Sequence, residues 1–162
     1  MIVLRALLFG VWRQTHPAPP PLFADVLITD LQHVSTGGST VEFASQDSAV
    51  VAAWIRRQTR WDVKIPASDE PSIRLLGARR CSIAGRHAAS ALYTIEGKDA
   101  SLVIVPTVET DMSGMKPSSK AGHFVDRCKG FTVMAWRDGS LTYAAVGKVS
   151  QGALSRLVPS SQ

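Results

Sequence analysis

The clearest structural signal in this chain is FTVMAWRDGSLTYAAV, which runs from Phe131 to Val146. Within it, two apolar runs flank the polar tetrapeptide RDGS. An Asp-Gly pair between two apolar runs is a strong signal for a tight β-hairpin. We therefore expect antiparallel β-structure in the C-terminal part of the chain.

The same pattern continues towards the N-terminus. Short turns separate apolar runs from Ile73 to Ile83, Ala88 to Ile95 and Ser101 to Val105. Residues 106–128 have the composition of a long polar loop, of the kind that often carries function and contacts a partner. Trp61 to Pro66 reads WDVKIP and alternates between apolar and polar residues, so we expect a short strand that its proline ends.

Helices are predicted around these strands. Residues 22–34 place apolar side chains at helical spacing before a Gly-Gly pair. Ser48 to Thr59 follows two good capping residues, Ser45 and Asp47, and has arginines in its last turns. Ser150 can cap a closing helix. The expected fold class is α+β in two layers: a meandering antiparallel β-sheet with one inserted and one C-terminal helix, preceded by an N-terminal apolar segment.

The composition is that of a folded, basic protein. A chain of 162 residues has room for one domain, and 45% hydrophobic with 19% charged residues argues against disorder. Lys and Arg number 18 against 13 Asp and Glu, which gives a net charge of +5. The positive charges are scattered and do not alternate with aromatic residues, so nucleic-acid binding is not expected.

The N-terminus is apolar, since Met1 to Trp12 reads MIVLRALLFGVW. The run is shorter than the ~20 residues of a spanning helix, and it lacks the basic start and the cleavage site of a signal peptide. A proline-rich stretch up to Pro21 follows as a stiff spacer. The run is interpreted as the end of an anchor, an uncleaved anchor, or a helix that lies on a membrane or a partner, and an ordinary core helix is the alternative.

These features divide the chain into an anchor or docking segment with its linker, residues 1–21, and a single α+β domain, residues 22–162. The segment is short and interrupted, which favours docking on another protein. Its apolar side chains are predicted to contact the membrane or a partner, and Trp61 is predicted to join them. The predicted contact residues are Ile2, Leu4, Leu7, Leu8, Phe9, Val11, Trp12 and Trp61.

No established catalytic signature is present: the sequence contains no GxSxG, HExxH, phosphate-binding glycine loop or GxGxxG. We therefore expect a protein that is not an enzyme and has no cofactor. The side chains available for a metal or redox site are Cys81, His87, His123 and Cys128, at spacings that match no familiar zinc module. A small metal- or redox-binding periplasmic protein is the alternative function. For the two cysteines, a disulfide and free thiols are both open.

From Asp30 to Leu157 the chain resembles the extracytoplasmic (periplasmic) domain of bacterial transmembrane anti-sigma factors. The resembling segments, in the family's order, are TDLQHV (29–34), VEFASQDSAVVAAWI (41–55), WDVKIP (61–66), RLLGARRCSIAGRHAASALY (74–93) and FTVMAWRDGSLTYAAVGKV (131–149). The family's cytoplasmic zinc-binding half, with its HxxxCxxC motif, has no counterpart in this sequence. The resemblance implies a module on the periplasmic side of a bacterial inner membrane.

Together these features predict a non-enzymatic, membrane-tethered periplasmic binding module. Two roles fit it: an accessory subunit docked on a membrane protein complex, or an anti-sigma-factor-like sensor domain. The expected partners are a membrane protein complex or another protein, with the N-terminal segment on the membrane and no nucleic acid.

Overall fold

The computed structural model describes residues 23–37, 41–107, 112–119 and 122–159. Within them, one antiparallel sheet of eight strands is flanked by helices, and the predicted α+β class is confirmed. The helices are α1 (Phe23–Ser35), α2 (Ser48–Thr59) and α3 (Gln151–Leu154), with a 3-10 turn at Ser155–Leu157. The strands are β1 (Phe43–Ala44), β2 (Ile73–Ile83), β3 (Arg86–Ile95), β4 (Lys98–Pro106), β5 (Lys116–Pro117), β6 (His123–Cys128), β7 (Phe131–Asp138) and β8 (Leu141–Gly147).

The strand order is β1-β2-β3-β4-β8-β7-β6-β5, so the sheet is not a single meander. It consists of two meanders, and the second is placed so that β8 pairs with β4, with Tyr143 opposite Ile104. Both strands direct apolar side chains to both faces of the sheet, and every residue of β8 is buried. Pairing them puts the most apolar strands in the centre and leaves the two-residue β1 and β5 at the edges.

The predicted hairpin is confirmed, and its turn is Gly139-Ser140, with Asp138 paired to Leu141. Gly139 has a positive φ and Ser140 does not, which is the pattern of a type II′ turn. Three further hairpin turns place two successive residues at positive φ, the second a glycine, as a type I′ turn requires. They are Ala84-Gly85, Glu96-Gly97 and Lys129-Gly130.

Helices cover both faces of the sheet, so the two-layer expectation is wrong and the architecture has three layers. The strands present apolar side chains to both sides: in β8, Tyr143 and Ala145 lie on one face while Ala144 and Val146 lie on the other. Both faces therefore need a cover. Helix α1 packs on the face that we call the α1 face, and α2 and α3 pack on the opposite α2/α3 face. The buried helix residues are Ala24, Leu27, Ile28 and Leu31 on the α1 face, and Val51, Ile55, Ala153 and Leu154 on the α2/α3 face.

Helix α2 has the predicted bounds, because its N-terminus is capped as expected. The Asp47 carboxylate accepts hydrogen bonds from the backbone N–H groups of Ala49 and Val50. Ser150 caps α3 in the same way by accepting from the N–H of Ala153.

Two segment predictions are wrong. Residues 60–70 contain no strand, although WDVKIP alternates like one. Residues 106–128, predicted as one loop, include β5 and β6, and β6 pairs with β7 along its whole length. The sequence of β6, HFVDRC, contains charged residues that hide its short apolar alternation. These residues are tolerated in a strand because β6 lies near the edge of the sheet.

Candidate binding groove

The segment from Trp61 to Pro66 crosses the α2/α3 face without joining the sheet. Val63 is buried in the core of that face, and Trp61 and Ile65 are half-buried against it. Two tyrosine hydroxyls fix the segment. The Tyr143 hydroxyl accepts a hydrogen bond from the backbone N–H of Lys64 at 3.0 Å. The Tyr93 hydroxyl donates to the carbonyl oxygen of Pro66 at 2.9 Å.

A groove of about 410 Å³ opens between this segment and the C-terminal end of the described chain, and we call it the Lys64 groove. One wall is Lys64 to Ala67, and the other is Arg156 to Pro159. Trp136 and Tyr143 form the floor, with their rings stacked at a centroid distance of 5.6 Å and an interplanar angle of 8°. Both rings are almost fully buried, so the floor is rigid.

Charged pairs line the rim of the groove. The Lys64 Nζ lies 2.8 Å from Asp138 Oδ2, and the Arg156 Nη1 lies 3.0 Å from Glu70 Oε2. The hydrogen bond to Asp138, followed by its charge, raises the pKa of Lys64. These side chains are substantially exposed, and exposed ion pairs contribute little to stability. They can therefore exchange their partners for a ligand at small cost.

Two further cavities share walls with the Lys64 groove. One, of about 630 Å³, shares Arg156 and Val158 and adds hydroxyl and amide groups from Ser118 and Gln151. The other, of about 320 Å³, shares Pro66 and Ala67 and lies by the N-terminus of α2. The 320 Å³ cavity borders the Lys64 to Ala67 wall of the groove, and the 630 Å³ cavity adjoins the Arg156 to Pro159 wall.

The predicted contact residues Ile2, Leu4, Leu7, Leu8, Phe9, Val11 and Trp12 lie outside the described residues, as does the proposed boundary at residue 21. Trp61 is described, and it packs against the core of the α2/α3 face rather than standing free on the surface. None of the described helices is long and apolar enough to cross a membrane.

The four candidate metal or redox residues are not brought together. Cys81 on β2 and Cys128 at the end of β6 are separated in the sheet order by β3, β4, β8 and β7, and both are free thiols. His87 is exposed at the start of β3, whereas His123 is buried edge-on against Trp136 at a centroid distance of 6.0 Å. Among the residues described, no three His, Cys, Asp or Glu side chains are grouped to hold a metal ion.

Both thiols are poor nucleophiles. Burial raises the pKa of Cys81 to about 12. Desolvation and the hydrogen bond that Cys128 donates to Asp25, with Sγ 3.5 Å from Oδ1, raise the pKa of Cys128 as well. Thiol reactivity depends on the thiolate, so neither side chain is activated at neutral pH.

Sequence reasoning missed the groove residues Trp136, Tyr143 and Arg156, as well as Tyr93 beside them. A tyrosine in an apolar strand signals a hydroxyl that needs a partner, and both Tyr93 and Tyr143 carry this signal. The partners, however, lie 27 and 79 residues away in the sequence, so no local pattern identifies them.

No protein-family model, curated protein or solved structure matches this chain.

Proposed function

We propose that this protein is a non-enzymatic binding module that recognises a partner protein in the Lys64 groove. The observation that carries the proposal is the groove itself, which combines a rigid aromatic floor with a few charged groups at the rim. Recognition sites are typically concave, with an apolar lining and a small number of polar groups that set orientation. The Lys64 groove has this composition: Ile65, Leu157 and Val158 accompany Lys64 and Arg156.

The groove favours binding over catalysis. Its described lining offers Lys64, Asp138, Tyr143 and Arg156 as polar side chains, and Lys64 is held in its charged form by Asp138, which raises its pKa. The Tyr143 hydroxyl is occupied by the backbone of Lys64, and desolvation, first among several causes, raises its pKa. A nucleophile with an adjacent base, which covalent catalysis needs, is not formed by these groups.

We further propose that the module is tethered on the periplasmic side of a bacterial inner membrane. The apolar run Met1 to Trp12 and the proline-rich spacer support a tether, and the resemblance to the periplasmic domains of anti-sigma factors supports the compartment. The module would serve as an accessory subunit of a membrane protein complex or as a sensor domain. A subunit stays bound at constant stoichiometry, whereas a sensor binds its partner only under the inducing condition.

Photo-crosslinking in intact membranes tests this proposal. A benzophenone amino acid is placed at Lys64 in the full-length chain, and the matched control carries it at Lys98, which is exposed at the start of β4 and does not line the groove. We expect a discrete adduct from position 64 that Arg156→Glu weakens, and no such adduct from position 98. The same adducts from both positions, or none from position 64, would contradict recognition in the groove.

The location is tested separately with spheroplasts. A protease added from outside should digest the domain in intact spheroplasts if it is periplasmic. Protection that is lost only on lysis would place the domain in the cytoplasm and overturn this part of the proposal.

A further inference from the structure

The chain that forms one wall of the Lys64 groove is held to the sheet by side chains alone. We call residues 61–69 the strap. Among the described residues, no N–H or C=O group of the strap bonds to another backbone group. Two of its backbone groups bond to hydroxyls of the sheet instead, the Lys64 N–H to Tyr143 and the Pro66 C=O to Tyr93. A segment without a backbone ladder opens at a lower free energy than the strands of a sheet.

The strap separates two cavities. The Lys64 groove lies on one side of it and has Tyr143 in its floor. The 320 Å³ cavity lies on the other side and is lined by Tyr93, so we call it the Tyr93 cavity. Pro66 and Ala67 line both cavities. The strap is therefore the partition between them, and each cavity contains the tyrosine that holds one point of the strap.

Fixed points bound the strap at both ends. Arg60 ends α2 in the left-handed conformation, with a φ of +67°, and its N–H bonds to the carbonyl oxygen of Arg56. At the other end the Ile73 N–H bonds to the carbonyl oxygen of Glu70, where β2 begins. These two turns are stabilised by their own hydrogen bonds, so the strap between them can move without disturbing α2 or β2.

The anchors of the strap are few. Val63 is its one buried residue, and Trp61, Ile65 and Pro66 are half-buried. The ion pair that Lys64 forms at the rim of the groove is exposed and contributes little. One buried side chain and two hydroxyl hydrogen bonds therefore supply most of what keeps the strap closed.

We propose that the strap is a gate that opens as a unit and joins the Lys64 groove and the Tyr93 cavity into one binding site. The inference rests on the proposed function, because it describes how the same site admits its partner. With the strap open, the hydroxyls of Tyr93 and Tyr143 are released to bond with a ligand, beside apolar side chains such as Ile73 and Leu157. With the strap closed, its backbone satisfies these two hydroxyls.

Amide hydrogen exchange on the full-length protein in detergent measures the opening. The reporter is the Lys64 N–H, which exchanges when it leaves the Tyr143 hydroxyl. The reference is the N–H of Val103, which is fully buried in the central strand β4. We expect the protection factor of Lys64 to be at least about 100-fold below that of Val103, because the strap opens without global unfolding. It should also depend less on urea, because opening the strap exposes less surface than unfolding does.

Two variants test whether the strap opens as a unit. Tyr93→Phe removes the hydrogen bond at Pro66 and leaves the Lys64 N–H with its acceptor. If the two anchors act together, Lys64 exchange should accelerate about fivefold, the factor that corresponds to about 1 kcal/mol per hydrogen bond. Thr132→Val is the matched control, since it removes a buried hydrogen bond to the Val149 carbonyl oxygen between residues that line neither cavity. It should leave Lys64 exchange unchanged.

A covalent lock gives a second readout. Lys64 Nζ lies 2.8 Å from Asp138 Oδ2, and the other described ion pairs are formed by arginines, so a carbodiimide should join these two side chains selectively. An amide bond forms between Nζ and the carboxyl carbon, and the carbodiimide takes up the water that is lost. The lock should raise the protection factor of the Lys64 N–H about tenfold or more, because a crosslink removes conformational entropy from the open state. Asp138→Asn treated in the same way is the control, since its side chain is not activated.

Two results would overturn the gate. One is a protection factor and urea dependence of Lys64 equal to those of Val103, which would mean that the strap leaves the sheet only on global unfolding. The other is Lys64 exchange that either Tyr93→Phe or the lock leaves unchanged, which would mean that the strap does not move as a unit. Neither result affects the photo-crosslink from position 64, which decides the proposed function, so the two failures are distinguishable.

Discussion

Arg79 on β2 and Asp30 on α1 form an ion pair with 2.6 Å between Arg79 Nη2 and Asp30 Oδ2, and their side chains are only 5% and 13% exposed. The pair lies on the α1 face, where α1 packs on the sheet. Helix α1 directly follows the proline-rich spacer, so it is the element through which the N-terminal segment is attached to the domain. The Arg79–Asp30 contact thus fixes the attachment point by a buried charge pair as well as by apolar packing.

Removal of the carboxylate should destabilise the domain strongly. We expect Asp30→Ala to lower the free energy of unfolding by about 3 kcal/mol, because the buried Arg79 loses this counter-charge. The neighbouring Arg80–Glu42 pair is 63% and 36% exposed and provides the control. Arg80→Ala should cost about 0.5 kcal/mol in the same urea titrations. Equal costs for the two variants would show that the buried pair does not hold α1.

Gly77 should not tolerate a side chain. It has a φ of +148°, and a Cβ at this position would lie 2.1 Å from the carbonyl oxygen of Phe43 on β1. Gly77→Ala must therefore displace β1, and we expect a loss of about 3 kcal/mol from strain and overpacking. Gly85 is the control, because its φ is +78° and a Cβ added there would meet no atom within 4 Å. Gly85→Ala should cost about 1 kcal/mol. A smaller loss for Gly77→Ala than for Gly85→Ala, measured by urea unfolding, would refute the close contact.

Stability should fall at alkaline pH. The pKa of Cys81 is raised to about 12 by burial, so the folded protein retains a proton that the unfolded chain releases near its ordinary pKa. This contribution to stability is fully present below the thiol pKa of the unfolded chain, about 8.5. It is lost as the pH rises through the thiol pKa of the folded protein. Burial also raises the pKa of Tyr93, which acts in the same direction above about pH 10.

The slope attributable to Cys81 should approach about 1.4 kcal/mol per pH unit between about pH 9 and 11. Urea titrations across this range measure it, and Cys81→Ala provides the comparison because it removes the titrating group. The variant should show a shallower decline than the native chain. Parallel pH profiles would mean that the Cys81 thiol does not titrate differently in the folded and unfolded states.

The tyrosine hydroxyls should control the order of the groove wall. Tyr143→Phe removes the acceptor for the Lys64 N–H, and we expect it to cost about 1 kcal/mol. Amide hydrogen exchange should accelerate at Lys64 and its neighbours, because the Lys64 N–H loses its acceptor. Exchange in α1, which packs on the opposite face of the sheet, should change little. Unchanged exchange at Lys64 would show that the hydroxyl does not hold the segment.

Local sequence patterns correctly predict helix α2 and the β7–β8 hairpin. Helix α2 begins after Asp47, one of its two predicted caps, and the capping hydrogen bonds reach only to Ala49 and Val50. The β7–β8 hairpin forms where its apolar runs meet across a turn that glycine favours. Such elements depend on interactions between residues that are close in the sequence, so the pattern of residue types carries the necessary information.

The placement of these elements depends on contacts that no local pattern contains. The pairing of β4 with β8 joins Ala100 to Gly147 across most of the C-terminal half, and it places four strands between Cys81 on β2 and Cys128 on β6. The WDVKIP segment has the alternation of a strand, yet the central strands pair with each other and leave it on the α2/α3 face, where two distant tyrosine hydroxyls hold it. Residue types therefore establish that the segment is extended. Whether it joins the sheet depends on the competition among all strands for a place there, and among the described residues that competition leaves the segment outside the sheet.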